Sequence, residues 1–150
     1  MLAERRHSGP LVVQKALYPE GDAVCHAVIV HPPGGIAGGD RLSIEASIEP
    51  GARALITTPG ATRWYRSAGP LAEQTVRLKV AAGASLEWLP QETIYFEGCQ
   101  ASNRIEFDVE PGGTLVAWEI VCLGRLRSKE RFARGEAYQS LSLESAGRLR

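Results

Sequence analysis

A chain of 150 residues, 44% hydrophobic and 23% charged, is long enough for one domain with a real core and ordinary for a soluble globular protein. Lys and Arg, 17 together, balance 17 Asp and Glu, so no cation excess is present to neutralise phosphates, which argues against a nucleic-acid binder. Near-zero net charge also permits close association with other protein surfaces. The three cysteines, Cys25, Cys99 and Cys122, are widely spaced and form no CxxC pair, so neither a disulfide framework nor a structural zinc site is expected. Met1-Leu-Ala-Glu-Arg-Arg6 lacks an apolar signal region, and the run Ala27–Val30 is too short to span a bilayer. A cytoplasmic protein with no membrane contact is expected.

The first strong strand in chain order is Cys25–Val30. It runs into His31-Pro-Pro-Gly-Gly-Ile-Ala-Gly-Gly-Asp40, which has four glycines and two prolines. The loop lacks a Gly-Lys-Ser/Thr ending and GxGxxG spacing, and no helical period follows to supply an anion-binding N-terminus. It reads as a tight corner where backbones approach closely. Asp40 either caps that turn or faces a cavity, and His31, at the start of the loop, is open to either orientation.

A pattern of alternating strand, Gly turn and second strand then recurs, in residues 41–56, 75–88 and 104–118. In the first arms Leu42, Ile44, Ala46 and Ile48 share one face, as do Val76, Leu78 and Val80, and Ile105, Phe107 and Val109. A period of two means half-buried strands with charged residues on the wet side. The turns centre on Gly51, Gly83 and Gly112, spaced 32 and 29 residues apart. A repeat of that length predicts an all-β fold of stacked, solenoid-like or β-helix-like units. A β-sandwich of hairpins is the alternative, because hairpins give similar local patterns. Residues 126–134 read as a polar, basic loop and 137–143 as another strand. No segment shows a convincing helical period.

Thr57-Thr-Pro-Gly-Ala-Thr-Arg-Trp-Tyr-Arg-Ser67 sets Arg63 and Arg66 around Trp64 and Tyr65, the residue types enriched at protein–protein interfaces. A corner stabilised by local packing explains it equally well. Two later segments place a carboxylate beside a tryptophan: Glu87 before Trp88, and Glu119 after Trp118. Neighbouring strand residues point to opposite faces, so a buried tryptophan would send its carboxylate to the other side. A solvated strand face accounts for this; an interior channel whose carboxylates hold a divalent cation weakly is the sharper reading. His7, His26 and His31 form no HxH, HxxxH or HExxH pattern, and GxSxG is absent, so catalysis has no clear support. A hydrolase using His31 as base and Asp40 as orienter would need a nucleophile that no local feature supplies.

Three motifs, residues 31–40, 57–67 and Trp88-Leu-Pro-Gln-Glu-Thr93, resemble the UreD (UreH) family of urease accessory proteins. Ser8-Gly-Pro-Leu11, Tyr18-Pro-Glu-Gly21 and Trp118-Glu-Ile-Val-Cys-Leu-Gly-Arg125 fit the same family in the same order. The resemblance covers essentially the whole chain. Family members run longer, so residues 1–150 are expected to form a single β domain that is the N-terminal portion of such a protein.

The resemblance implies a mostly β, non-enzymatic maturation factor. It would bind apo-urease and UreF, with UreG recruited through UreF, and no cofactor would be tightly held. Nickel would pass transiently through an internal tunnel. Acidic family positions implicated in that passage correspond to Asp40 and Glu119; Glu87, Glu92 and His31 are weaker metal candidates. Arg63, Trp64, Tyr65 and Arg66 are the expected partner-binding residues. An interaction module with no metal path is the competing expectation.

Overall fold

A computed structural model describes residues 2–145 and 148–149. Its strands are β1 (Val12–Val13), β2 (Cys25–Val30), β3 (Arg41–Ile48), β4 (Arg53–Thr57), β5 (Thr62–Trp64), β6 (Ala72–Val80) and β7 (Ser85–Trp88). They continue with β8 (Thr93–Tyr95), β9 (Gln100–Val109), β10 (Thr114–Ala117), β11 (Val121–Leu123), β12 (Glu136–Ser145) and β13 (Arg148–Leu149). Met1 and residues 146, 147 and 150 lie outside the described residues.

Three walls form, in the orders β1-β2-β4-β7-β10, β5-β8-β11 and β3-β6-β9-β12-β13. Pairing is parallel throughout, except where β1 joins β2 and β13 joins β12. The chain climbs through the walls in rotation, one strand in each, so the fold is a β-solenoid. The first rung is β2, Ile36 and β3, with Ile36 bridging to Trp64 in place of a full strand. The second is β4-β5-β6, the third β7-β8-β9 and the fourth β10-β11-β12.

The repeat read in the sequence is this winding. Arg41 stands opposite Glu73, and Ala72 opposite Ala101, the same 32- and 29-residue steps that separate the turn glycines. The two strands flanking each Gly turn belong to different walls and do not pair with each other, which sets the sandwich of hairpins aside. Gly51, Gly83 and Gly112 all hold positive φ, 75°, 73° and 86°. Their turns stack, with the Gly83 N–H donating to the Gly112 carbonyl at 3.1 Å. The fourth rung departs from the period because residues 124–135 add a loop, with a 3-10 turn at Leu126–Ser128, before β12 begins.

Side chains alternate as the sequence predicts. Val76, Leu78, Val80, Ile105 and Phe107 are buried and pack against Ile56, Leu86 and Trp88 from the opposite wall. The outward face of the long wall carries charges that pair across rungs: Arg77 lies between Glu45 at 3.6 Å and Glu106 at 3.0 Å. A smaller core of Ile36, Trp64, Ala72, Tyr95, Cys99 and Ala101 fills the corner at the short wall. Among the described residues no helix is long and apolar enough to cross a membrane.

Candidate functional site

A cavity of about 260 Å³, open to solvent on one side, is lined from all of the rungs. The first rung contributes His31 and Leu42, the second Thr62, Arg63 and Gln74, the third Trp88 and Thr93, and the fourth Glu119. That volume holds several water molecules, and the polar lining suits them.

Glu119 lies in the corner between β10 and β11, two residues past Ala117, which stands opposite the inward-facing Trp88. Its carboxylate is turned inward, within hydrogen-bond reach of Trp88 and Gln139. Val116 stands opposite Glu87, and both are exposed. The two Trp–Glu pairs are therefore not equivalent. Trp88 is buried and Glu87 faces solvent, whereas Trp118 is half exposed and Glu119 lies inside.

Both Glu119 oxygens are engaged. Trp88 Nε1 donates to Oε1 at 2.9 Å, and Gln139 Nε2 donates to Oε2 at 3.4 Å. Burial lifts this carboxyl above the usual glutamate range, against the pull of donors from Trp88, Gln139 and Thr93. The folded state thus holds the Glu119 proton more tightly than the unfolded chain does. The stability that this proton contributes is present at acid pH and lost as pH rises through the raised value. The melting temperature of Glu119→Gln minus that of wild type should therefore grow from acid to neutral pH; a difference that shrinks over that range would contradict the assignment.

Gln139 belongs to a column of amides that the sequence reading missed. Gln74, Asn103 and Gln139 are in register on β6, β9 and β12. Gln74 Nε2 donates to Asn103 Oδ1 at 3.1 Å, and Asn103 Nδ2 donates to Gln139 Oε1 at 3.0 Å. The Tyr95 hydroxyl donates to the same Gln139 oxygen. Burial raises the Tyr95 pKa, so the phenol stays protonated and remains a donor. A signal was present: Gln74 and Asn103 each lie nine residues before their turn glycines, Gly83 and Gly112.

The remaining metal candidates do not converge. Asp40 Oδ2 accepts the Ala37 N–H at 2.8 Å, so its carboxylate caps its own loop and does not line the cavity. Glu87 is exposed on the outer surface, and Glu92 is half-buried outside the cavity lining. His31 lies in the cavity wall, and burial lowers its pKa despite the nearby Asp40, which favours the neutral imidazole. Among the described residues no three His, Cys, Asp or Glu side chains are grouped to hold a metal ion. The expectation of carboxylates gathered from several corners gives way to one interior carboxylate, Glu119, at the end of a neutral amide column.

The glycine loop is the tight corner expected. A Cβ on Gly35 would meet the Tyr65 ring at 2.5 Å and the Arg63 carbonyl at 2.9 Å, and one on Gly38 would meet Ser67 Oγ at 2.3 Å. The aromatic corner needs a correction. Arg63 and Arg66 are exposed and Tyr65 is half-buried, edge-on to Phe96. Trp64 is 0% exposed and stacks on Tyr95 at 5.6 Å between centroids, so it is core and cannot belong to a partner surface. Its Nε1 is buried and without a hydrogen-bond partner among the described residues.

Residues 1–150 match the model of the UreD urease accessory protein family. The chain is 51% identical to the urease accessory protein UreD of Methylobacillus flagellatus over 148 residues, covering 99% of this chain and 52% of the relative. It is 55% identical to UreD of Delftia acidovorans, covering 88% of this chain and 43% of that protein. It is 57% identical to UreD of Cupriavidus necator, covering 89% and 46%. The chain spans about half the length of these curated relatives. A family match along its whole length and identities at this level place the chain in the UreD urease accessory protein family, as its N-terminal part.

Proposed function

We infer that the chain is part of a non-enzymatic urease maturation factor that passes nickel into apo-urease, with the interior cavity as the ion's route. Family membership supports the maturation role. The observation that carries the route is Glu119, an interior carboxylate in a cavity lined by every rung. Nickel is cargo here, held transiently. A lone carboxylate with neutral oxygens binds a borderline divalent ion weakly, whereas clustered imidazole and thiolate ligands would trap it. Apo-urease and UreF are the direct partners in this reading, UreG acts through UreF, and the setting is cytoplasmic. The exposed Arg66, and Arg63 at the open side of the cavity, favour a second reading, an interaction module with no metal path.

The test uses the full-length parent protein, co-expressed with apo-urease and the other accessory proteins. Glu119→Gln should lower the nickel content and activity of the urease while the accessory complex still assembles. Unchanged nickel loading would overturn the route and leave the docking role.

A further inference from the structure

Hydrogen-bond counting fixes the orientation of every amide in the column. Glu119 Oε2 accepts from Gln139 Nε2 at 3.4 Å, which sets the direction of the first amide. Gln139 Oε1 then faces away and accepts from both Tyr95 and Asn103. Asn103, having spent its nitrogen on Gln139, presents Oδ1 to Gln74. Gln74 donates with Nε2, which leaves its Oε1 at the end of the chain. In the first rung the residue in register with Gln74 is Leu42, which has no polar group to take that oxygen. Among the described residues no donor reaches it. Gln74 and Glu119 line the same cavity.

The amide dipoles therefore all point the same way. Their N–H ends face the Glu119 carboxylate and their C=O ends face Gln74. Such chains polarise cooperatively, so each bond makes the terminal oxygen a better acceptor.

We propose that Gln74 Oε1 is a weak oxygen ligand for a divalent cation in the cavity, and that the Glu119 carboxylate holds it in that orientation through Gln139 and Asn103. The ion thus meets two oxygen sites, one charged and one neutral, that are set by a single acidic residue. Asn103 and Gln139 are positioning residues, which act through Gln74 and Glu119. The inference rests on the cavity being the ion's route.

The experiment uses the full-length parent with apo-urease and the other accessory proteins, and reads nickel bound per urease at limiting nickel. Gln74→Met keeps the length and removes the oxygen. It should lower loading by about tenfold, the lower end of the loss seen when a metal site's supporting shell is cut. Gln74→Glu keeps an oxygen at the same place but sets a carboxylate against Asn103 Oδ1. A purely structural role for Gln74 makes Gln74→Glu at least as harmful as Gln74→Met; the ligand role predicts the opposite order in nickel loading, with Gln74→Glu close to wild type. Gln74→Asn, the gentlest change, should load less than wild type because its oxygen is withdrawn by one methylene. Equal loading by Gln74→Met and Gln74→Glu, or wild-type loading by Gln74→Asn, overturns the proposal. If Glu119→Gln also loads normally, the route itself is wrong; if Glu119→Gln is impaired while the Gln74 variants are alike, only the Gln74 assignment fails.

Discussion

Trp64→Ala is expected to cost about 3–5 kcal/mol of folding stability, as a large-to-small change in a closed core does. The ring is fully buried, stacks on Tyr95 and sits among Ile36, Ala72 and Ala101. The truncation also removes an indole N–H that has no partner among the described residues, which relieves a desolvation penalty and favours the lower end of the range. Urea unfolding of wild type and variant measures this directly. Arg63→Ala and Arg66→Ala, on the exposed side of the same corner, should stay within about 0.5 kcal/mol of wild type. If Trp64→Ala instead kept its stability and lost only complex formation, the tryptophan would belong to a partner surface after all.

Glu119→Gln in the full-length protein should reduce nickel delivery by about tenfold or more. The substitution removes the carboxylate from the cavity lining, and it does something further. The new amide nitrogen would face Gln139 Nε2, donor against donor, across the present 3.4 Å contact. Gln139 relieves the clash by turning over, which forces Asn103 and then Gln74 to turn. Gln74 would then present its nitrogen to the cavity in place of its oxygen. Glu119→Asp keeps the charge and the amide orientation but shortens the reach, so its loss should fall between wild type and Glu119→Gln. Nickel bound per urease, with accessory-complex assembly checked by size-exclusion chromatography, gives the ranking. Equal loading by the Asp and Gln variants would show that charge at this position is irrelevant.

The solenoid was legible because its long walls obey a period of two and its turns carry glycine at near-constant spacing. Leu42, Val76 and Ile105 begin runs whose alternation survives in the structure. The third wall was not legible: β5, β8 and β11 are three-residue strands, too short for a period to show. The site was half legible. Glu119 was singled out through its family motif, but the local Trp–Glu reading made it equivalent to Glu87, and only the register of Ala117 against Trp88 separates the two. Asp40 looked like a second interior acid, yet a glycine loop leaves backbone N–H groups that need acceptors, and the Ala37 N–H takes it. Gln74, Asn103 and Gln139 went unnoticed because each is a polar residue on an otherwise ordinary strand. They form a column only once the rungs are stacked in register.

The central claim is that a divalent ion travels inside the solenoid. Blocking the cavity by bulk alone tests that without altering any proposed ligand. Ala61 lines the cavity at the corner between β4 and β5 and is half-buried. Nickel transferred to apo-urease by full-length Ala61→Trp should fall sharply while the variant still folds and joins the accessory complex. Transfer at the wild-type level through a plugged interior would contradict the account.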